Sequence, residues 1–304
     1  MGSGFGYGQW LLLASMIYAV QCEHSGAALC NQLTSLGDEC QCETGSEDRL
    51  ILRCVGTRAN TLYTDLERVT DTKIPLYEMQ VRDSDLEELE KEFPPHINDH
   101  LEILTLDNTK IGQVYIGNIL RPMKTIRKIR LENETVQEID NAMFENLLHL
   151  EELGVNGANL VTIKENAFLG LNLTSLSLRG NLMAKIPSAV TKLPYLVELD
   201  LFENKIEVVS DQEALVLQST LKHIERLIMN KVRCDCRLGK GEFLNWVRRQ
   251  GISGVTCGEP SNLLGIDITK LTTKQICNSA AMPSIPIGLL AATLLACFSR
   301  RLTS

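Results

Sequence analysis

Several residue types are scarce in this sequence of 304 residues, and each shortage argues against a class of function. Aromatic residues make up 5% of the chain, so a binding surface built mainly from aromatic side chains is not expected. Lys and Arg are spread along a chain of net charge -8, and no basic stripe predicts a nucleic-acid partner. The sequence has five histidines and lacks a Gly-x-Ser-x-Gly elbow, a glycine-rich phosphate loop and a paired-histidine metal motif. We therefore predict no catalytic residues, no metal and no cofactor, and a protein that is not an enzyme.

Long apolar runs are also lacking, and the apolar segment nearest the N-terminus is short. Residues 10–20 are almost wholly apolar and are followed by Gln21 and Cys22. A run of this length near the start of a chain is typical of a secretory signal peptide, although no Lys or Arg precedes it here. We place the signal peptide at residues 1–22.

A second apolar segment, residues 285–298, lies near the C-terminus and is followed by two arginines. It is shorter than the roughly 20 residues that a membrane-spanning helix needs. We interpret residues 279–304 as a cleaved glycolipid-anchor signal, with Asn278 and Ser279 as attachment points, or as a short transmembrane tail. Both alternatives place the protein on the extracellular face of the plasma membrane, bound to the membrane through its C-terminal anchor. The protein is secreted if the tail is not used as an anchor.

A leucine-spaced pattern recurs through the middle of the chain. Each unit has apolar residues at positions 1, 4, 6 and 11, as in Leu173, Leu176, Leu178 and Met183. The units start, every 23 to 25 residues, at Leu76, Leu101, Ile126, Leu150, Leu173, Leu196 and Leu221. Alternation around positions 4 and 6 predicts a strand with one buried face, and the fixed period predicts stacked units. We predict an α/β solenoid over residues 76–230: a leucine-rich-repeat horseshoe with a parallel concave β-sheet, about seven repeats and disulfide-capped ends.

Outside the strand, the units share two further positions, and the last unit departs in length. An Asn at position 9 can hydrogen-bond neighbouring backbone groups, and Asn181 and Asn204 fit this pattern. Thr109 is tolerable there, whereas Ser84, Glu134 and Ala158 depart from it. The outer half of each unit carries a further apolar residue that is expected to be buried, the set being Phe93, Leu120, Phe144, Phe168, Val190 and Leu215. The last unit contains one extra residue between Ile224 and Leu227.

The ten cysteines avoid the repeats. Eight form two groups that flank them: Cys30, Cys40, Cys42 and Cys54, then Cys234, Cys236, Cys257 and Cys277. The apolar ends of a solenoid need a cover, and disulfides stabilise small covering modules. A Cys-x-Cys pair does not readily bond to itself, so each member should reach a different partner. Of the three pairings open to each group we favour the interleaved one: Cys30–Cys42 with Cys40–Cys54, and Cys234–Cys257 with Cys236–Cys277. A Cys-x-Cys pair can also chelate zinc, but an oxidising compartment favours disulfides. The two groups define caps at residues 23–75 and 231–278.

The cap segments resemble those of a known family. The run 234–238 (Cys-Asp-Cys-Arg-Leu), the Phe-Leu-Asn-Trp run that ends at Trp246, and 255–257 look like the C-terminal cap of extracellular leucine-rich-repeat proteins. The stretch ending in Cys54 resembles their N-terminal cap, so the likeness covers residues 30–277. That family includes adhesion molecules, receptors and co-receptors, many of them glycolipid-anchored, and some soluble partners of enzymes. The resemblance implies a cell-surface module that binds a protein ligand or co-receptor on its concave face. The alternative is a secreted non-catalytic scaffold subunit of an enzyme complex.

The outward strand positions 3, 5 and 7 form the expected binding face. The third unit supplies a basic spot around Arg130, and the C-terminal units are acidic around an aromatic residue, Phe202. An aromatic side chain ringed by charge is a plausible binding anchor. The predicted ligand-binding residues are Arg130, Arg179, Glu198, Asp200 and Phe202. Two Asn-x-Thr acceptors, at Asn133 and Asn172, predict glycosylation at the edge of this face and on the rim of the solenoid.

Overall fold

The computed structural model describes residues 30, 31, 33, 36–45, 49–89 and 91–279. The predicted signal peptide at residues 1–22 lies outside the described residues, as does all of the predicted anchor segment after Ser279. The strands are β1 (Cys40–Thr44), β2 (Leu50–Val55), β3 (Leu76–Arg82), β4 (Ile103–Asp107), β5 (Lys128–Glu132), β6 (Glu138–Ile139), β7 (Glu152–Asn156), β8 (Thr162–Ile163), β9 (Ser175–Ser177), β10 (Glu198–Asp200), β11 (Arg226–Arg233) and β12 (Ser253–Glu259).

The described helices lie outside the sheet or in the C-terminal cap. The α-helices are α1 (Ala59–Thr72), α2 (Pro95–Asn98), α3 (Gln113–Leu120), α4 (Asp211–Thr220), α5 (Cys236–Lys240), α6 (Glu242–Gln250) and α7 (Thr273–Ser279). Single 3₁₀ turns cover Ser188–Lys192, Ser261–Leu263 and Ile268–Lys270.

Ten of these strands form one sheet in the order β1-β2-β3-β4-β5-β7-β9-β10-β11-β12. All neighbours are parallel except β1 and β2, which are antiparallel. From β3 to β10 the pairs join equivalent positions of successive units, as in Leu104 with Ile129 and Leu176 with Leu199. Side chains at positions 4 and 6 therefore stack into continuous buried layers, because alternate residues of a strand point to opposite faces. The predicted leucine-rich-repeat solenoid with a parallel sheet is confirmed.

A left-handed residue at position 8 ends the strand in each of the first six units. The six residues there have φ between 45° and 68° and are Asp83, Asn108, Asn133, Gly157, Gly180 and Glu203. Gly has no Cβ to clash in this region, and Asn and Asp tolerate it better than other side chains do. Glu203 departs from the composition that the backbone favours at this position.

The predicted start of the seventh unit, Leu221, is wrong. Leu199 pairs with Leu227 across β10 and β11, which makes Ile224 and not Leu221 the first residue of the seventh unit. No extra residue lies between Ile224 and Leu227, and the sixth unit instead holds three more residues than predicted. The cause is α4, a ten-residue helix that ends at Thr220 and takes up more chain than a turn. The same helix leaves Leu215 48% exposed, because Ala214 and Leu217 face the core in its place.

The sheet also extends into the segment predicted to be the N-terminal cap. Strand β2 pairs with β3 so that Leu52 meets Met79 and Cys54 meets Val81, the residues at positions 4 and 6 of the first unit. Leu52 and Cys54 thus occupy repeat positions themselves, and α1 fills the outer half of that unit. Strand β1 then closes this end of the sheet by pairing in the antiparallel sense.

Four disulfides join the described cysteines at the two ends. They link Cys30 to Cys42, Cys40 to Cys54, Cys234 to Cys257 and Cys236 to Cys277, the pairs that the sequence analysis favours. In the C-terminal cap the ring of Trp246 is 1% exposed and lies 6.0 Å from that of Phe243. Its indole N–H donates to the side chain of Gln250 at 2.8 Å, and both rings belong to the same buried cluster as the leucines of the repeats.

Candidate ligand-binding face

The concave face of the sheet presents the outward side chains at positions 3, 5 and 7. Most of them are half-buried or exposed, whereas Thr105 and Gly154 are buried. Successive side chains of a strand point to opposite faces of the sheet. The leucines at positions 4 and 6 point into the core, so positions 3, 5 and 7 point to the concave face. The five predicted ligand-binding residues all belong to this outward set.

Several charges on and beside this face are neutralised between neighbouring units. In the predicted basic spot, Lys128 forms an ion pair with Glu152, and Arg127 pairs with Glu151 and, at 3.5 Å, with Glu102. Arg130 is different, because no carboxylate of the described residues lies within 4.0 Å of its guanidinium. The spot is therefore much less positive than the sequence indicates. Arg130 is the residue of this spot whose charge is left available to a ligand.

The C-terminal part of the face brings four of the five predicted residues together. The guanidinium carbon of Arg179 lies 4.2 Å from the ring centroid of Phe202, in a cation–π contact between neighbouring units. Asp200 accepts a hydrogen bond from the backbone N–H of Phe202 at 2.8 Å. Glu198 pairs with Arg226 at 3.1 Å. Phe202 is half-buried under Arg179. The predicted ligand-binding aromatic residue is therefore part of a stacked pair and not a bare ring.

Between Arg130 and this cluster the concave face has a hollow of about 210 Å³. Its floor consists of Gly154, Ser175 and Ser177, on two neighbouring strands. Sequence reasoning missed this feature, although a glycine at an outward position of a strand is a signal that could have indicated it. A larger hollow, about 600 Å³, lies off this face beside α4 and is lined by apolar residues such as Val161 and Ile186.

A ladder of buried polar side chains at position 9 supports the edge of the face. The amide oxygen of Asn181 accepts from the backbone N–H groups of Ala158 and Leu160, both at 3.0 Å. Its amide nitrogen donates to the carbonyls of Val155 at 2.7 Å and Leu178 at 2.9 Å. One side chain thus satisfies two donors and two acceptors that would otherwise be buried without partners.

Glu134 holds the same position in the third unit and reproduces only half of this pattern. Its Oε1 accepts from the backbone N–H and the hydroxyl of Thr109, both at 2.9 Å. Its Oε2 is buried without a hydrogen-bond partner, and the side chain has no donor for the carbonyls that an Asn would reach. Burial raises the pKa of Glu134, the charge of Asp107 adds to the shift, and hydrogen bonds from Thr109 and from the backbone N–H of Ile111 oppose it. Burial likewise raises the pKa of Glu132, against a hydrogen bond from Asn156.

The two predicted glycan acceptors are exposed. Asn133 lies at the concave edge, and its side-chain amide donates to Asp107 at 2.9 Å. Asn172 lies at the start of its strand, and its side-chain amide donates to the carbonyl of Leu148 at 3.4 Å.

The two predicted anchor-attachment residues end α7. Asn278 is exposed, whereas Ser279 is 7% exposed and its hydroxyl donates to the carbonyls of Ile276 and Cys234. Across the stretches that the structure describes, no helix has the length and apolar character needed to cross a bilayer.

The described residues contain no group of three or more His, Cys, Asp or Glu side chains placed to hold a metal ion. His96 and His100 lie close, with ring centroids 4.5 Å apart, and each ring contacts a backbone carbonyl.

Parts of the chain are similar to known proteins. The family described as leucine rich repeat matches residues 124–183. The human protein named leucine-rich repeats and immunoglobulin-like domains protein 1 is 30% identical over 112 residues, which cover 36% of this chain and 10% of that protein. The chain therefore spans about a tenth of the length of the curated relative it matches. The crystal structure of a TLR13-ssRNA13 complex is similar with a TM-score of 0.44 at 18% identity, covering 60% of this chain and 29% of that chain.

The units of this chain are leucine-rich repeats, and disulfide-bonded caps close both ends of the solenoid. Such repeats are a protein-interaction module. The four disulfides are typical of a protein that matures in an oxidising compartment.

Proposed function

We propose that this protein is a cell-surface recognition module, acting in adhesion or as a receptor or co-receptor, that binds a protein ligand on its concave face. The observation that carries the proposal is the outward row of the sheet, whose polar and charged side chains are mostly half-buried or exposed along successive units. A face that extends over successive strands of one sheet suits a protein surface better than a small molecule, which needs an enclosing pocket.

Ligand contact is centred on the C-terminal units. The stacked pair of Phe202 and Arg179 combines a large apolar surface with a cation, the two properties that are enriched in binding hot spots. Asp200 lies beside the pair, and Arg130 adds a second open cation two strands beyond Arg179's strand. A glycan on Asn133 would screen the third unit from one edge and direct the ligand toward Phe202.

A direct test uses the full chain displayed on cells and a collection of secreted and cell-surface proteins as probes. Phe202→Ala and Asp200→Lys should each weaken the binding of a captured protein by roughly tenfold or more, the scale of a hot-spot residue. Leu169→Ala is the matched control, because Leu169 is 66% exposed and lies off the concave face. Binding that survives both concave substitutions, or is lost equally in the control, contradicts the proposal.

Attachment to the membrane is proposed to use a glycolipid joined at Asn278 or Ser279. Asn278 is exposed at the end of α7, at the edge of the folded cap. Phosphatidylinositol-specific phospholipase C should release the protein from the surface of expressing cells. Protein that is found only in the medium favours the secreted scaffold subunit instead, and surface protein that resists the enzyme favours a transmembrane tail.

Occupied glycans at Asn133 and Asn172 are part of the same proposal. Peptide mapping of the secreted or surface protein should find both modified, and an unmodified asparagine removes that site from the account.

A further inference from the structure

The hollow on the concave face exists because Gly154 occupies an outward position of β7. The equivalent residues of the flanking strands are Arg130 and Ser177, and the second strand also contributes Ser175. Small side chains on two neighbouring strands leave about 210 Å³ open between the larger side chains around them. The opening faces the same solvent space as the stacked pair of Arg179 and Phe202.

The backbone does not require glycine at this position. Gly154 lies inside a regular strand and has no positive φ. An added Cβ would lie 3.4 Å from the amide nitrogen of Asn156, 3.7 Å from Glu132 and 3.8 Å from Arg130, all ordinary contacts. A glycine inside a strand lowers stability relative to alanine, and in strands it often marks the close approach of a ligand. The residue therefore provides space rather than a special conformation.

The lining of the hollow carries two cations, Lys128 and Arg130, and two carboxylates, Glu132 and Glu152. The ammonium of Lys128 is paired with Glu152. The Glu132 carboxylate accepts a hydrogen bond from Asn156 at 2.9 Å, and the charge of Arg130 acts on it to lower its pKa against the effect of burial. Arg130 is exposed and has no carboxylate of the described residues within 4.0 Å. A guanidinium presents several N–H donors in one plane and binds a carboxylate through two parallel hydrogen bonds.

The volume of the hollow limits the size of the ligand group that can enter it. Sites for small-molecule ligands usually measure about 300–1,000 Å³, so this space is too small for one. It can hold one amino-acid side chain. We propose that the hollow accepts a single Glu or Asp side chain of the protein partner, with its carboxylate paired to Arg130 and its stem over Gly154. This inference rests on the proposed function, because it names the chemistry of the ligand for the same face.

The test uses the full chain and a displayed library of random linear peptides as the probe. Selected peptides should share one acidic position, and replacing that residue by its amide should weaken binding by roughly tenfold or more, the scale of one charge-assisted pair. Arg130→Gln should weaken binding by a similar factor and abolish the preference for acid over amide. Arg130→Lys should restore part of that preference. Gly154→Leu should block binding, Gly154→Ala should have a smaller effect, and Arg82→Gln, an exposed concave arginine outside the hollow, should have none.

The coupling between Arg130 and the acidic residue is the decisive measurement, because a merely structural role does not create a preference for acid over amide. Arg130 is exposed, so its substitution leaves folding intact even if Gly154→Leu is poorly secreted. Peptides without a shared acidic position, unchanged binding by the Arg130 and Gly154 variants, or a library without binders would each overturn the inference. A natural protein ligand that depends on Phe202 but not on Arg130 would leave the proposed function standing and this inference refuted.

Discussion

Replacing Glu134 by Asn should make the protein more stable at neutral pH. The change removes a buried carboxylate whose Oε2 has no partner and installs the side chain used by Asn181 and Asn204 in the later units. The new amide oxygen should accept from the N–H of Thr109, and the amide nitrogen should donate to strand carbonyls that the glutamate cannot satisfy. The Asn133 acceptor survives, because any residue except proline is allowed after the asparagine.

The size of the effect follows from two opposing contributions. An unsatisfied buried polar group costs about 1–3 kcal/mol, and more when it is charged. Shortening the side chain by one methylene loses about 0.8 kcal/mol of burial. The net stabilisation should be about 1–2 kcal/mol. In a domain of this size, each kcal/mol raises Tm by about 2–4 °C.

The stabilisation should depend on pH in a defined direction. Burial raises the pKa of Glu134 above its ordinary value of 4.5, so folding favours the protonated carboxyl. That contribution is fully present below the ordinary value and is lost as pH rises through the folded-state pKa. The advantage of Asn over Glu should therefore be small in acid and grow toward neutral pH. Glu132 has a pKa raised in the same direction and is unchanged in both proteins, so it cancels in the comparison.

Thermal and denaturant unfolding of both proteins across this pH range are the measurements. Glu145→Asn is the matched control, because Glu145 is an exposed glutamate of the same unit and should show no such pH-dependent gain. A stability difference that does not change with pH, or a destabilised Glu134→Asn variant, would refute the reasoning.

Three further predictions concern the ladder, the turns and the caps. Asn181→Ala should destabilise by about 3 kcal/mol or more in denaturant unfolding, because it leaves two buried donors and two buried acceptors without partners. Glu203→Gly should raise stability by about 1 kcal/mol, measured in the same way, since φ is 59° there and an L side chain is strained in that region. Removing the Cys236–Cys277 disulfide by a double Ser substitution should cost about 4 kcal/mol on the chain-entropy account of its 41-residue separation, and reduce secretion. Unchanged stability of the Asn181→Ala or double Ser variant, or no gain for Glu203→Gly, would contradict the corresponding prediction.

The strand frame of the repeats is predictable because it depends on local alternation. Leu173, Leu176 and Leu178 identify one face of one strand, and the same spacing elsewhere identifies the faces that stack on it. The inward packing of Trp246 follows from its place between cysteines in a small module. These features need no knowledge of which residues meet across the sheet.

The length of the sixth unit was predicted wrongly because leucine spacing alone has two solutions there. Leu221 and Ile224 are both apolar, and either can start a unit. The missing signal was the capping box of Ser210 and Glu213, which begins α4 and shows that the outer half of this unit is a helix. A search for helix starts as well as leucines would have placed the last unit correctly.

The electrostatics of the face could not be predicted in this way. Arg127 and Lys128 look like a basic spot along the chain, yet stacking places a carboxylate of the next unit beside each of them. Partners 24 residues apart become neighbours on strands about 4.8 Å apart. Of the three cations of this spot, Arg130 alone has no carboxylate of the described residues within 4.0 Å, and this became visible once its neighbours were known.

By itself the sequence determined the repeating strand, the inward leucines, the outward polar row and the grouping of cysteines at the ends. Each of these follows from spacing along the chain, because a strand alternates its faces whatever lies beside it. The tertiary structure alone decided which charges are neutralised, that Arg179 covers Phe202, that Glu134 has an unpartnered oxygen, and that Gly154 opens a hollow. Those properties arise between units, where the stacking of strands sets distances that spacing along the chain does not contain.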